Sequence, residues 1–417
     1  MRHSLRRAIS GSFGLFLLQA LAAGPALAAD PSAEDATIGT TPARAQSAPP
    51  MAVPTPTSAP APELAEGSSG GLGLFDSHYR AREAPIATDP PGNWAVLHAG
   101  LRPHLGTFGG IATFALAHAR TERFYGVFSL ATVRNDAGTN VSLTQLALGR
   151  NLSDTFIGGT QLSLSENRAR RFVGFGQTTL AYNRAGEMTA LWQVAGYNRA
   201  RVFDGGLQLG GYNRTDESFA GIAQLGAYDH ALTNFSGLAQ IGAVSAVGED
   251  LLGSDRRKNR FAGIVQAGAL SSVDGNFYGV TQLGAATYTS GAFRGLVQAG
   301  VGSWAGDFRG LAQVGLATVT DRSIGMQIAA IAVSREDHAG IQVGVLGNYA
   351  RAIDGAQIGV VNLANSVRGV QIGVFNHARS LRGLQIGLAN HAEDGLLPWT
   401  GLLNMGFGDG DGGGAAE

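Results

Sequence analysis

The chain has 417 residues, a formal net charge of −1, 15% charged residues, 62 glycines and no cysteine. That balance offers no basic stripe for nucleic acid and no acidic tail, and the lack of cysteine excludes a disulfide framework and a lipid-attachment thiol. Glycine recurs through the C-terminal three quarters, where each costs about 1 kcal/mol in a helix relative to alanine, and no later run reaches the roughly 18 apolar residues of a membrane-spanning helix.

The chain opens like a secretory signal. Arg2, Arg6 and Arg7 form a positive start, Phe13 to Ala23 an apolar core, and Ala26-Leu27-Ala28 a small-residue cleavage site. The expectation is an exported chain with residues 1–28 removed. From 29 to 92 the composition shifts to Pro, Ala, Ser and Thr, which cannot bury enough apolar surface to offset ordering, so a disordered tether is expected. A β-repeat domain over 93–407 and a flexible Gly-rich tail over 408–417 complete the predicted organisation.

The domain is read from its repeat. Gly355-Ala-Gln-Ile-Gly-Val-Val-Asn-Leu-Ala recurs as Gly369-Val-Gln-Ile-Gly-Val-Phe-Asn-His-Ala and Gly383-Leu-Gln-Ile-Gly-Leu-Ala-Asn-His-Ala. Its glutamine traces back through the chain as Gln145, Gln161, Gln177, Gln193, Gln208, Gln224, Gln240, Gln266, Gln282, Gln298, Gln313, Gln327, Gln342, Gln357, Gln371 and Gln385, at spacings of 14 to 16 with one of 26. A fixed period of this kind marks one supersecondary unit reiterated. Earlier units carry a phenylalanine five residues before the glutamine, as at Phe156, Phe172, Phe203, Phe219, Phe235, Phe261, Phe277, Phe293 and Phe308, and Phe108 and Phe124 suggest two degenerate units upstream. Tyr-Asn-Arg appears three times, starting at Tyr182, Tyr197 and Tyr212. The long interval contains Asp255-Arg256-Arg257-Lys258 and reads as an exposed loop.

These units, with the close from Leu396-Leu397-Pro398-Trp399 to Phe407, resemble the bacterial surface-repeat proteins of the cell envelope, best over 340–407 and more weakly back to about 110. The resemblance implies an envelope location and no assigned chemistry.

Two all-β architectures suit about 18 to 20 such units. The first expectation is an antiparallel outer-membrane β-barrel of a Gram-negative cell, with strands of about 10 residues, aromatic rims, outer-membrane lipid as partner, and the glutamines ringing a lumen in a structural or pore role. The alternative is a parallel β-solenoid, surface-exposed or secreted, that binds a protein or glycan along its glutamine ladder. Near-identical junctions and the recurrent apolar Ile353, Val367 and Leu381 favour the solenoid. Ile222, Leu238, Ile264 and Leu296 share the parity of the glutamines, which suits neither a watery lumen nor a solvated face.

Catalytic chemistry is not expected. His377 and His391 share one repeat position without a recurrent third ligand, while His98, His104, His118, His230 and His338 fall outside any nucleophile arrangement. Asp409-Gly-Asp411-Gly lacks the later carboxylates of a calcium loop. Asn140, Asn151, Asn213 and Asn234 begin glycosylation triplets of a kind that arise by chance. No cofactor, metal or nucleic-acid partner is predicted.

Overall fold

A computed structural model describes residues 73–77, 93–248 and 259–407, all within one compact unit, Glu66–Glu417. The expected signal, most of the tether, the Asp255 to Lys258 loop and the tail lie outside the described residues.

The chain winds as a parallel β-solenoid of about 18 turns. At the β spacing of about 4.8 Å per turn, this makes a rod on the order of 85 Å long. One turn shows how the sequence closes the coil. Asn234–Ser236, Ala239–Ile241 and Val244–Val247 are short strands, separated at Gly237-Leu238 and Gly242-Ala243. Each pairs in parallel with the next turn, bringing Phe235 onto Phe261, Gln240 onto Gln266 and Ser245 onto Ser271. The turn therefore has three faces, named here after the column each sends inward: phenylalanine, glutamine and asparagine. Elsewhere the corners keep their ladder bonds and strands such as Ala317–Ile372 run through several turns.

This corrects the barrel. Successive barrel strands pair antiparallel, whereas Gln145 lies on Gln161 and Gln161 on Gln177 in parallel register. The interior is filled by side chains, which leaves no lumen and removes the pore role with it. The physical reason is the corner. Strict alternation puts Ile222 and Gln224 on one side, but a bend at Gly221-Ile222 turns Ile222 out while Gln224 is wholly buried. A second bend after Gly373 brings Asn376 inside with Gln371, five residues away. Two-residue periodicity holds only within each three- or four-residue strand.

The phenylalanine column packs the thick end of the core. From Phe203 through Phe308 successive rings stack with centroids 4.7 to 5.1 Å apart, all inaccessible or nearly so. Beyond Ser323 the corner before the glutamine loses one residue. Gly355, Gly369 and Gly383 then adopt φ of 136 to 141°, and a Cβ on Gly355 would stand 2.0 Å from the Gly340 carbonyl oxygen, so glycine is required there. In these tighter turns Ile353, Val367 and Leu381 take the phenylalanine position and are buried, as the sequence suggests for a coil.

Both ends depart from expectation. Gly73–Ser77, inside the predicted tether, is a strand pairing in parallel with Asn93–Gly100. Trp399–Phe407, the close of the repeat region, pairs antiparallel, unlike every other pairing among the described residues: it folds back over the final turn and sets Asn404 opposite Gln385. It occupies the hydrogen-bonding edge of that turn, a cap of the kind solenoids need against end-to-end association.

Candidate functional site

The glutamine ladder is core. All sixteen side chains have no accessible surface. Each Nε2 donates to Oε1 of the preceding turn, from Gln161 on Gln145 at 2.7 Å to Gln385 on Gln371 at 2.8 Å. Asn404 Nδ2 donates to Gln385 Oε1 at the C-terminal end, at 3.4 Å. Ser129, Thr113 and His98 continue the column at the other end. Nothing reaches these amides from outside, so the ladder is neither a pore lining nor a ligand-binding row.

A second amide ladder runs beside it in the opposite sense. Asn151 donates to Asn167, Asn167 to Asn183, Asn183 to Asn198 and Asn198 to Asn213, each toward the following turn. Asn348, Asn362, Asn376 and Asn390 repeat the arrangement at 2.7 to 2.8 Å. Each of these donors also holds a backbone carbonyl at the neighbouring corner, as Asn376 does with Ile386 at 2.9 Å. Glutamine amides point their donors toward the N-terminal end and asparagine amides toward the C-terminal end, so the two rows of dipoles oppose one another. Both periods stand in the sequence, but assigning the asparagines by strict alternation to the face opposite glutamine hides the second ladder.

Asp229 interrupts it. Asn213 Nδ2 donates to Asp229 Oδ1 at 2.7 Å, and Oδ2 has no partner. Burial, opposed by the bonds from Asn213 and the Gly226 amide, pushes its carboxyl up to about 7.

His377 and His391 are brought together. Their rings stack at 4.9 Å with Nδ1 atoms 2.8 Å apart, and Trp399 lies 4.4 Å from His391. Burial first, then the neighbouring imidazole, holds His377 below the ordinary histidine value. No group of three or more His, Cys, Asp or Glu able to hold a metal occurs among the described residues. The other histidines stay apart, and His338 is buried against Ser323 with Nδ1 and Oγ 2.6 Å apart. Asn140, Asn151 and Asn213 are wholly buried, which removes them as glycan acceptors in the folded coil.

The outer faces of the described turns differ sharply. The glutamine face turns outward the residues two before, one before, one after and three after each glutamine. Over sixteen turns, from Leu143 to Leu388, none of these positions is charged. Leu238, Ile264 and Leu296 are about half exposed, at 53%, 47% and 54%. Near the C-terminal end, Ile358, Ile372 and Ile386 on one side and Val360, Val374 and Leu388 on the other enclose an apolar groove of about 520 Å³. The backbone beneath is satisfied: Leu238 N–H donates to the Ile222 carbonyl at 2.8 Å and Ile264 N–H to that of Leu238 at 2.9 Å.

The asparagine face carries the polarity. Each Tyr-Asn-Arg triplet buries its asparagine and turns its tyrosine and arginine outward. Tyr182, Tyr197, Tyr212 and Tyr228 form a stack bordering the apolar face, with centroids 4.7 to 5.7 Å apart. One step beyond the buried asparagines runs the row Arg168, Arg184, Arg199 and Arg214. Glu187 and Glu217 hold Arg201 at 2.7 and 2.9 Å, and Asp216 holds both Arg199 and Arg214 at 2.8 Å.

No protein-family model, curated protein or solved structure matches the chain.

Proposed function

We propose that this chain is a non-catalytic envelope rod, exported by its leader and laid lengthwise on a lipid surface through its glutamine face. The observation that carries the reading is the absence of any charged side chain on that face over sixteen consecutive turns. Contiguous apolar patches on soluble monomers rarely exceed a few hundred Å², and this one runs nearly the length of the rod. A surface entering the headgroup and acyl boundary must leave no backbone group unpaired, and the ladder bonds beneath Leu238 and Ile264 meet that condition.

The order of residues around the coil supports lipid as the occupant. Leucine and valine give way to the tyrosine stack and then to the arginine row, the sequence of apolar body, interfacial ring and cation found where protein meets a membrane surface. Lipid contact thus moves from the outside of a barrel to one side of a rod. The leader-like start and the surface-repeat resemblance support an envelope membrane of a Gram-negative cell as that surface.

Vesicle flotation tests the reading. The protein is expected to rise with vesicles of mixed zwitterionic and anionic lipid. The triple variant Leu238→Glu, Ile264→Glu, Leu296→Glu is expected to stay at the bottom with unchanged β circular dichroism. Wild-type protein that remains with the soluble fraction would sink the proposal. A dimer in light scattering that the triple variant abolishes would instead identify a second copy as the occupant.

A further inference from the structure

We propose that the asparagine face carries a binding site for a linear acidic polysaccharide, in an arginine-walled groove separate from the apolar face. The groove encloses about 810 Å³ along successive turns from Arg120 to Asp216, and its lining has seven arginines against four carboxylates. Its floor is kept low by Ala137, Ala169 and Ala185, small residues two positions past the buried asparagines. Asp136, Arg168 and Arg184 stand on one side of these and Arg170 on the other, where Gly138 and Gly186 leave room. The carboxylates do not neutralise it evenly. Asp136 bonds Arg134 at 2.7 Å and Asp216 bonds Arg199, but Arg168, Arg170 and Arg184 at the centre make no ion pair among the described residues.

The repeat converts these cations into a linear array. Arg184 lies on Arg168 in parallel register, and Arg199 and Arg214 follow Asn198 and Asn213, whose amides are bonded turn to turn at 2.8 Å. From Arg168 to Arg214 an arginine thus recurs on four successive turns, about 4.8 Å apart, and Arg168 and Arg184 stand free of Asp216. That interval is close to the length of one sugar unit in an extended polysaccharide, so carboxylates recurring along one face of such a chain fall in step with the turns. Guanidinium pairs with carboxylate through two parallel hydrogen bonds.

The tyrosines decide between a sugar polymer and a single-stranded nucleic acid. Binding of unpaired bases relies on free aromatic faces. No aromatic ring lines the groove, and of the tyrosines beside it Tyr212 is stacked on both faces at 4.7 Å and Tyr197 on one. A base therefore finds nothing in the groove to stack upon.

Titration calorimetry with polygalacturonate tests the site, with dextran as the uncharged comparison and oligothymidylate as the nucleic acid. Polygalacturonate is expected to bind with an affinity that falls as salt rises, and dextran is not. The double variant Arg168→Gln, Arg184→Gln is expected to lose roughly tenfold or more without a change in melting temperature, both side chains lying on the surface. The triple glutamate variant of the apolar face should bind polygalacturonate like wild type, which separates this site from lipid contact. No polygalacturonate binding by wild type, equal binding by the double variant, or preference for oligothymidylate would each overturn the proposal.

Discussion

Gln266 Nε2 donates to Gln240 Oε1 at 3.0 Å across 26 residues of chain, and Gln240 makes the same bond to Gln224, also at 3.0 Å, across 16. The ladder bond is the same whether 16 or 26 residues separate its partners. Gly248, the last described residue before the long interval, is held by His230, whose Nε2 lies 2.6 Å from the Gly248 carbonyl oxygen. Asn259, where the chain returns, accepts the Asn276 N–H on its own carbonyl at 3.0 Å. Deleting residues 249–258 would leave the 16-residue spacing of the neighbouring turns. Such a deletion should fold with a melting temperature at or slightly above wild type, since shortening a loop lowers its closure entropy. Circular dichroism melting checks this, and a loss of β signal would mean the excursion is part of the coil.

The ladder itself should be intolerant. Gln266→Leu keeps approximate volume but leaves Gln240 Oε1 buried without its donor, while Gln282 retains the Ser271 and Tyr288 carbonyls. The expected cost is about 1 to 3 kcal/mol. Gln266→Glu should cost more at neutral pH, because a carboxylate cannot donate to Gln240 and has no cation nearby in the column. Chemical denaturation of the two variants, with Gln266→Glu recovering as pH falls, checks both parts.

Phe261 sits between Phe235 and Phe277 with centroids 4.9 and 4.8 Å away. Phe261→Ala opens a cavity that the flanking turns cannot close without breaking register, and should cost about 3 to 5 kcal/mol. Phe261→Leu, which makes this turn resemble Leu381, should cost markedly less. Thermal melts of the pair would reveal whether the column is held by volume or by ring stacking.

The sequence made the unit, its period and its all-β character legible, because glutamine and phenylalanine recur at fixed offsets. It obscured the sidedness. Ile222 and Gln224, two apart, point opposite ways because Ile222 sits in the Gly221 corner, and Gln371 and Asn376, five apart, point the same way because they straddle the Gly373 corner; neither bend carries a residue-type label beyond glycine itself. With alternation assumed across the corner, the strands lengthen to about ten residues, and that length suits a barrel. The tail of the repeat hinted otherwise: Ile353, Val367 and Leu381 have no inward side to occupy except in a coil. The asparagine ladder and the uncharged outer face appear only once the corners are placed.

Asp229 and His338 give the rod opposing pH responses. Asp229 has its carboxyl raised to about 7, mainly by burial, so the folded state holds a proton that the unfolded chain releases near 4. That stability is complete at low pH and is lost as pH rises toward 7. Asp229→Asn restores the amide, lets the ladder continue from Asn213, and should stabilise by at most about 4 kcal/mol at pH 8 with little effect at pH 4. His338 works the other way. Burial, opposed by a backbone bond at Ile341, lowers it to about 4, so the unfolded chain takes up a proton near 6.5 that the folded state refuses. Stability falls as pH drops below 6.5, by about 2 kcal/mol at pH 5. His338→Leu, matching Leu381 in the same column, should remove that acid sensitivity, and Ser323 keeps Ser334 at 2.8 Å. Melting temperatures between pH 4 and 8 should therefore rise with pH for Asp229→Asn and fall with pH for His338→Leu, each single variant exposing the response the other group masks. Parallel curves for both variants and wild type would show that neither group titrates on unfolding as its burial requires.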